Sequence, residues 1–166
     1  WSAGCAIGQE TYSLAILIKE ALKDKEHFSV RIWGTDVDKD ALEKARKAEY
    51  AEALLKNVDK EILEKYFVSG YNALYKLKED IKRMVIFEAH NLITDPPLKY
   101  IDVIFCRNMM IYLSRQEQEM LFKKFYHSLK PKGYLIIGQV EAVWDRDLFR
   151  PVDLRRKIYQ KQGADK

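Results

Sequence analysis

The first thirteen residues of the chain, WSAGCAIGQETYS, combine two glycines with an acid at the start of a helical pattern. Gly4 and Gly8 permit a tight turn, and they let the backbone approach a ligand without interference from a Cβ atom. The segment lacks the three spaced glycines of a dinucleotide-binding fingerprint, so a nucleoside-type ligand is favoured over one with a pyrophosphate. Taken alone, the loop is as typical of a structural turn as of a cofactor site.

Three acids near this loop could supply polar contacts to such a ligand. Asp36 stands just after a predicted strand, where an acid commonly accepts hydrogen bonds from both ribose hydroxyls. Asp38 precedes a predicted helix and suits its N-cap. Either carboxylate fits the cap, and we assign the cap to Asp38 and the ribose to Asp36. Glu10 can bind an ammonium group through a charge-assisted hydrogen bond, or it can complement the dipole of a helix. A ligand with a ribose and an α-amino group but no phosphate indicates S-adenosylmethionine.

The elements that must position these residues alternate between strands and helices. β-Branched and aromatic residues predict strands, apolar residues at helical spacing predict helices, and Ser114 with Glu117 has the pattern of a capping box. This order predicts parallel strands with right-handed crossovers, and therefore a doubly wound, Rossmann-like α/β sheet. The predicted strands are 28–34, 100–106, 134–138 and a closing pair within 149–160. The predicted helices are 14–22, a helix after Asp38, and 114–129. Stop signals within 130–133 end the last of these helices.

The middle of the chain departs from this alternation. Residues 59–66 predict a short amphipathic helix, while 74–78 and 84–87 predict two strands that a charged turn joins. We therefore predict one domain over residues 1–166, with a small antiparallel β-subdomain inserted at about 48–88. We expect strand 84–87 to continue into the main sheet.

Composition and charge exclude several classes of protein. A chain of 166 residues with 48% hydrophobic and 33% charged residues suits one globular domain. Its net charge of +4 is spread along the chain and does not indicate a nucleic-acid partner. The two cysteines and three histidines lie far apart in the sequence, so neither a zinc site nor a disulfide scaffold is expected. With no apolar run long enough for a bilayer and no signal-peptide pattern, we expect a cytoplasmic location.

The stretch DPPL at residues 95–98 raises the alternative of a nucleic-acid amino-methyltransferase. Those enzymes carry a similar motif after their fourth strand, where it holds the target nitrogen. Here the stretch precedes the predicted strand YIDVIFC, and the segment after that strand is RNMMIY. The position therefore favours a turn with two prolines.

Five separated segments of the chain resemble, in the right order, the chemotaxis receptor methyltransferases of the CheR type. They are WSAGCAIGQETYS, GTDVDKDALEKAR, the HNL that starts at His90, IDVIFCRNMMIYL and LKPKGYLIIG. The resemblance extends through nearly the whole chain and implies the class I S-adenosylmethionine-dependent methyltransferase fold. It also implies transfer of a methyl group from S-adenosylmethionine to receptor glutamates, with S-adenosylhomocysteine as the product and no metal.

The resemblance implies a role for each matching residue. Glu10 would bind the amino group of the cofactor and Asp36 its ribose, while Tyr112 would lie beside the transferring methyl group, with Arg107 as the second catalytic residue. The other implied cofactor-binding positions are Ala3 and Gly4 in the loop, Asn91 and Leu92 at the adenine, and Cys106, Arg107 and Asn108 near the methyl donor. Structural alternatives stay open at four positions, namely a strand-end role for Asn91, a core position for Tyr112, an ion pair for Arg107 and a backbone-only role for Cys106.

The implied reaction needs no general base, because a glutamate with a reference pKa of about 4.3 is already ionised at neutral pH. The implied partners are the cytoplasmic helices of methyl-accepting chemotaxis receptors, with no nucleic acid and no membrane insertion, and we expect a monomer. A sensor or scaffold module that keeps the fold and binds the cofactor without turnover is the alternative function.

Three departures from the family pattern bear on these roles. Gln9, Glu10 and Thr11 stand where the family usually has an acidic pair and a proline. The family's Gly-His-Ser-Glu is Gly-Gln-Val-Glu here and ends at Glu141. Family members also carry an N-terminal helical domain that contributes contacts to the cofactor, and the sequence from Trp1 onward does not contain it. We therefore expect a cofactor pocket that lacks part of its wall, which leaves the activity of this chain open.

Overall fold

The computed structural model describes residues 1–23, 25, 28–70 and 73–163. The chain divides into an N-terminal unit, Cys5–Ala89, and a C-terminal unit that joins Trp1–Gly4 to His90–Lys166. The helices are α1 (Gln9–Leu22), α2 (Lys39–Lys47), α3 (Lys60–Tyr66), α4 (Glu79–Lys82) and α5 (Arg115–Ser128). The strands are β1 (Ser2–Ala3), β2 (Ile32–Asp36), β3 (Glu49–Ala51), β4 (Phe67–Ser69), β5 (Leu74–Leu77), β6 (Val85–Ala89), β7 (Ile101–Cys106), β8 (Leu129–Ile137), β9 (Phe149–Asp153) and β10 (Ile158–Lys161).

The strands of the main sheet are mostly parallel and alternate with helices along the chain. Parallel pairs form between β2 and β6, between β1 and β7, and between β7 and β8. A smaller sheet of three strands is antiparallel. The prediction of an α/β fold with a small antiparallel sheet is therefore confirmed. In the described part of the chain, the helices are too short or too polar to cross a bilayer.

Strand β2 of the N-terminal unit pairs with β6 over all five residues from Ile32 to Asp36. Because this pairing sets the length of the strand, β2 begins and ends later than the predicted strand 28–34, which is wrong at both ends. Gly34 in the middle of β2 leaves room for an aromatic side chain of β6. A Cβ atom at Gly34 would lie 2.5 Å from Cε1 of Phe87.

Helix α1 begins at Gln9, well before residue 14, where the predicted helix starts. Gly8 stands at its N-cap with φ 83, a left-handed conformation that suits glycine. A Cβ atom at Gly8 would also lie 2.9 Å from Cζ of Phe87. The first turn is polar and contains Glu10, so the apolar periodicity that predicts the helix starts after its true beginning.

The Asp38 side chain caps α2, as predicted. Its Oδ1 accepts hydrogen bonds from the backbone N–H groups of Asp40 at 2.9 Å and Ala41 at 3.0 Å. Leu42, one turn into the helix, is buried in the core of the N-terminal unit. The assignment of the cap to Asp38 leaves Asp36 available for another role.

The antiparallel sheet has the order β3-β5-β4. Its central strand β5 corresponds to the predicted strand 74–78, and α3 corresponds to the predicted helix 59–66. Strands β3 and β4 are not predicted, because a strand of three residues carries too little alternation to recognise. Residues 71 and 72, between β4 and β5, lie outside the described residues.

The predicted charged turn between residues 78 and 84 is wrong, since helix α4 occupies this position. The predicted strand 84–87 corresponds to β6 and pairs in parallel with β2, so the expectation that it continues into the main sheet is confirmed. The limits of the inserted subdomain, at about 48–88, stay a prediction.

In the C-terminal unit, β1, β7 and β8 are parallel neighbours, and β10 and β9 follow β8 in antiparallel order. The closing strand pair predicted within 149–160 is thereby confirmed. Helix α5 begins with the predicted capping box, in which the N–H of Glu117 donates to Oγ of Ser114 at 3.3 Å and the N–H of Ser114 donates to Oε2 of Glu117 at 2.8 Å. The Trp1 ring packs edge-on against Phe125 of α5, with 5.6 Å between the ring centroids.

Strand β8 begins directly after α5, earlier than the predicted strand 134–138. Ile101 of β7 pairs with Leu129, but Val103, two residues later, pairs with Tyr134. The residues between Leu129 and Tyr134 therefore form a bulge in β8. The stop signals within 130–133 do follow the end of the helix, but they lie in this bulge and not in a loop before the strand.

We expect Gly34→Ala to lower the free energy of unfolding by about 1–3 kcal/mol, because the added methyl group would overlap the Phe87 ring. Urea denaturation followed by circular dichroism measures this change. In a Phe87→Leu background the same substitution should cost less, since leucine lacks the ring atoms that it meets. An equal cost in the two backgrounds would contradict this explanation of the glycine.

Candidate functional site

The Asp36 carboxylate joins the glycine-containing loop to the end of β2 in the N-terminal unit. Its Oδ2 accepts a hydrogen bond from the N–H of Ala6 at 2.8 Å, and its Oδ1 accepts one from the N–H of Asp38 at 3.0 Å. A carboxylate has about four acceptor positions, so each oxygen keeps capacity for a second donor. Two ribose hydroxyls can therefore bind Asp36 without breaking either of these bonds.

Hydrogen bonds to the backbone hold the rest of this loop. The N–H of Cys5 donates to the C=O of Thr35 at 2.9 Å, and the N–H of Gly8 donates to the C=O of Cys5 at 2.9 Å. The hydroxyl of Tyr50 donates to the C=O of Ile7 at 2.9 Å. These hydrogen bonds hold the shape of the loop through contacts within the protein itself.

The carboxylates of Asp36 and Glu10 both act on the Cys5 thiol in this loop. Burial, followed by the charge of Asp36, raises the pKa of Cys5 to about 12, and Glu10 acts in the same direction. The thiol is therefore protonated at neutral pH, which disfavours a nucleophilic or metal-binding role. Two carboxylates near one loop favour a positively charged ligand there.

Ala3 and Gly4 belong to the C-terminal unit. Ala3 is buried in β1, and Gly4 has φ 76, which explains the glycine at this position. A Cβ atom at Gly4 would lie 3.3 Å from Cγ of Met109. Within this unit the start of the glycine-containing loop thus lies beside the RNMMIY segment.

Asn91 forms a turn with the residues that follow it. Its Oδ1 accepts hydrogen bonds from the N–H groups of Ile93 at 2.9 Å and Thr94 at 3.2 Å. Leu92 is buried at 6% exposure. Because the turn uses the Asn91 side-chain oxygen, the side-chain NH₂ group is the part that suits a ligand. The adenine role of Asn91 and Leu92 stays a prediction.

Three predicted residues follow one another at the carboxyl end of β7. Cys106 is fully buried and pairs with Ile137 of β8, whereas Arg107 and Asn108 are exposed. Asn108 has φ 59 and lies against Gly138, where a Cβ atom would be 2.8 Å from its Oδ1. The glycine after β8 therefore leaves the space that the Asn108 side chain occupies.

Glu141 is absent from the predicted site residues, yet it connects two of the segments that carry them. Its Oε1 accepts a hydrogen bond from the N–H of Met110 at 2.9 Å, and its Oε2 accepts one from the N–H of Gly138 at 2.5 Å. The residue is only 5% exposed. In the sequence, Glu141 could be singled out only because it matches the last residue of the family's Gly-His-Ser-Glu. Its bond to Met110 spans 31 positions, so no local sequence pattern indicates it.

Tyr112 lies in the 3₁₀ turn Met110–Tyr112. Its side chain is 81% exposed, so the alternative that it belongs to the core is wrong. Nε2 of Gln118 donates to the C=O groups of Met110 at 3.0 Å and Leu113 at 3.1 Å. Together with Glu141, this amide holds the turn from two sides while the Tyr112 ring stays open to a partner.

The predicted site residues thus form two sets, each at the ends of parallel strands. The N-terminal unit holds Glu10 and Asp36, and the C-terminal unit holds Ala3, Gly4, Asn91, Leu92, Cys106, Arg107, Asn108 and Tyr112. Carboxyl ends of parallel strands are the usual place for a ligand in α/β proteins. Within the described residues, no three His, Cys, Asp or Glu side chains are grouped to hold a metal ion.

Residues 1–158 match the protein family described as "CheR methyltransferase, SAM binding domain". The chain belongs to this family. The chemotaxis protein methyltransferase of Borreliella burgdorferi is 37% identical over 146 residues, which are 86% of the CheR-family chain and 52% of that protein. The chemotaxis protein methyltransferase of Salmonella typhimurium is 33% identical over 172 residues, 100% of the chain and 58% of that protein. The CheR-family chain therefore spans about half the length of these curated relatives.

Solved structures support the fold of the CheR-family chain. The S-adenosylmethionine-dependent methyltransferase SibL in its apo form matches with a TM-score of 0.51 and 18% identity, over 82% of this chain and 29% of that protein. At this identity the likeness concerns the fold alone, and it confirms the predicted class I methyltransferase fold.

We expect Glu141→Gln to lower the free energy of unfolding by about 1–3 kcal/mol, because the new NH₂ group would face a backbone N–H that needs an acceptor. Chemical denaturation measures the loss. Glu119→Gln is the control, since this exposed carboxylate pairs only at the surface with Arg115 and should change stability by less than about 0.5 kcal/mol. Similar small effects of the two substitutions would mean that Glu141 does not hold the turn.

Proposed function

We propose that this chain is the catalytic domain of a methyltransferase that transfers methyl groups from S-adenosylmethionine to glutamate side chains of chemotaxis receptors. The family match over residues 1–158 supports the cofactor, and the names of the curated relatives support the role in chemotaxis. The domain would act as a monomer in the cytoplasm on the cytoplasmic helices of the receptors, without a metal ion. The antiparallel sheet of the N-terminal unit would face the receptor.

The observation that carries this proposal is the pair of hydrogen bonds through which Asp36 holds the glycine-containing loop. The same carboxylate keeps acceptor capacity for both ribose hydroxyls. Glu10, in the first turn of α1, would bind the ammonium group of the cofactor. Asn91 and Leu92 would contact the adenine. The remaining cofactor contacts would come from Ala3, Gly4, Cys106, Arg107 and Asn108.

The reaction mainly requires the protein to align the receptor carboxylate with the methyl group of the cofactor. When bound, S-adenosylmethionine supplies an electrophilic methyl group on a positively charged sulfur. A receptor glutamate is ionised at neutral pH, so no residue of the chain has to remove a proton from it. The chain must instead orient the carboxylate and strip water from it.

Tyr112 suits the orienting role, because its exposed hydroxyl can donate a hydrogen bond to one carboxylate oxygen while the other oxygen attacks. Arg107 is exposed at the end of β7, and its positive charge would draw the acidic side chain toward the site. Glu141 and Gln118 would serve the reaction indirectly, since they hold the backbone that carries Tyr112.

Replacing Asp36 and Asp38 should separate cofactor binding from helix stability. Asp36→Ala should raise the Kd for S-adenosylhomocysteine by about 5- to 150-fold, corresponding to roughly 1–3 kcal/mol, because it removes the ribose bonds together with the two bonds that hold the loop. Asp38→Ala should lower the free energy of unfolding by about 0.5–2 kcal/mol through loss of the α2 cap, with little change in Kd. Isothermal titration calorimetry and urea denaturation measure the two quantities.

An unchanged Kd in the Asp36 variant would remove the ribose assignment. No binding of S-adenosylhomocysteine by the unsubstituted chain at millimolar concentration would remove the cofactor itself.

Methyl transfer tests the catalytic part of the proposal. With radiolabelled S-adenosylmethionine, a receptor cytoplasmic fragment should gain label that alkali releases as methanol, as expected for a glutamyl methyl ester. A fragment with its acceptor glutamates replaced by glutamine is the control and should gain none. Tyr112→Phe should lower kcat by roughly 10-fold, the scale of one lost hydrogen bond, and leave binding of S-adenosylhomocysteine unchanged.

Two outcomes of the transfer assay count against the proposal. Cofactor binding without any transfer would favour the sensor or scaffold function. Transfer at the full rate by the Tyr112→Phe variant would exclude the orienting role of Tyr112.

A further inference from the structure

Lys124 of α5 reaches the loop that carries Asn91. Its Nζ donates hydrogen bonds to the C=O of Ile93 at 2.8 Å and to the C=O of Asp95 at 2.6 Å. Burial lowers the pKa of Lys124, while the charge of Asp95 opposes this shift. An ammonium group that exchanges water for two backbone carbonyls forms an ordered contact and differs from a flexible surface charge.

The loop that Lys124 contacts is already a compact turn. Oδ2 of Asp95 accepts a hydrogen bond from the N–H of Asn91 at 2.8 Å, and the N–H of Asp95 donates to the C=O of Asn91 at 2.9 Å. The first of these bonds is the main reason why the pKa of Asp95 is lowered. The bonds of Ile93 and Thr94 to the Asn91 side chain close the turn. Lys124 therefore fastens a preassembled turn to α5 at two points.

We propose that Lys124 is a positioning residue for the adenine ring of the cofactor. This inference rests on the proposed function, in which Asn91 and Leu92 contact the adenine. The turn uses the Asn91 side-chain oxygen, so Asn91 offers its NH₂ group to a ligand. A donor selects one base only if it stays in one place, and the Lys124 bonds to the turn hold it there.

Fixing this donor has a consequence for base selectivity. Adenine and hypoxanthine carry opposite donor and acceptor groups at two neighbouring ring positions. A rigid site built for one of them rejects the other, because a polar group is left without a partner. A loosened turn can adapt to either base, so loss of Lys124 should reduce the selectivity as well as the affinity.

The neighbouring Lys123 is a matched control for this role. It is exposed, and it lines a surface cleft of the same unit with Trp144 and Asp145. The substitution Lys123→Met removes the same ammonium group as Lys124→Met, but at the neighbouring position. Any effect of lost charge in general would appear in both variants, whereas an effect on the turn would appear only at Lys124.

Calorimetric titration with S-adenosylhomocysteine and with S-inosylhomocysteine tests the inference. Lys124→Met should raise the Kd for S-adenosylhomocysteine by about 10-fold, but the Kd for S-inosylhomocysteine should change by less than about 3-fold. The preference for adenine, measured as the Kd of the inosine analogue divided by the Kd of S-adenosylhomocysteine, therefore falls. Lys124→Arg keeps the positive charge and the hydrogen-bond donors, so its ratio of the two Kd values should be close to that of the unsubstituted chain. Lys123→Met should behave like the unsubstituted chain.

Amide hydrogen exchange of the unliganded protein supplies a second readout, which does not depend on binding. Lys124→Met should speed exchange at Ile93 and Thr94 by about 10-fold or more, while amides in β10 keep their rates. Unchanged exchange at the turn, or an equal loss of affinity for both ligands, would overturn the inference. Absence of S-adenosylhomocysteine binding by the unsubstituted chain would instead contradict the proposed function, and this inference with it.

Discussion

Backbone amides that leave regular structure must find acceptors, and at the loop before α1 the Asp36 carboxylate supplies one. It binds the N–H groups of Ala6 and Asp38, so a loop with positive φ angles at Ala6 and Gly8 keeps one shape. That shape sets where α1 begins, and therefore where Glu10 lies. An apolar residue in place of Asp36 would leave the Ala6 amide without this acceptor, and the loop would lose its shape together with its candidate ribose contact.

The C-terminal unit uses the same device at two further places. Glu141 accepts amides from Met110 and Gly138, and the bonds of Lys124 and Asp95 hold the turn at Asn91. These charged side chains hold irregular backbone and need not touch a ligand themselves. The groups proposed to meet the substrate are different ones, such as the exposed ring of Tyr112. In the C-terminal unit, the charged side chains that hold the backbone are thus different from the exposed ring of Tyr112.

Features that lie within one turn of helix were predictable from the sequence, such as the Asp38 cap and the capping box at Ser114. The alternation of elements also predicts the fold class, because it depends on many residues at once. Strands β3 and β4 are not predicted, since a strand of three residues shows no periodic pattern. For β3, the paired residues of β5 also lie far along the chain. The candidate site divides in the same way. The role of an acid such as Asp36 can be predicted from its residue type and its position after a strand. The roles of Glu141 and Lys124 cannot, because their partners lie up to 31 positions away in the sequence.

Binding of the cofactor product at the Asp36 loop and the Asn91 turn can be tested most directly by nuclear magnetic resonance. Backbone amide shifts of the ¹⁵N-labelled chain would be followed during titration with S-adenosylhomocysteine. The largest changes should occur at the amides of Ala6, Asp38, Asn91 and Thr94, with β3, β4 and β5 unaffected. Changes confined to other surfaces, or no changes at millimolar ligand, would contradict the cofactor contacts proposed for Asp36 and for Asn91.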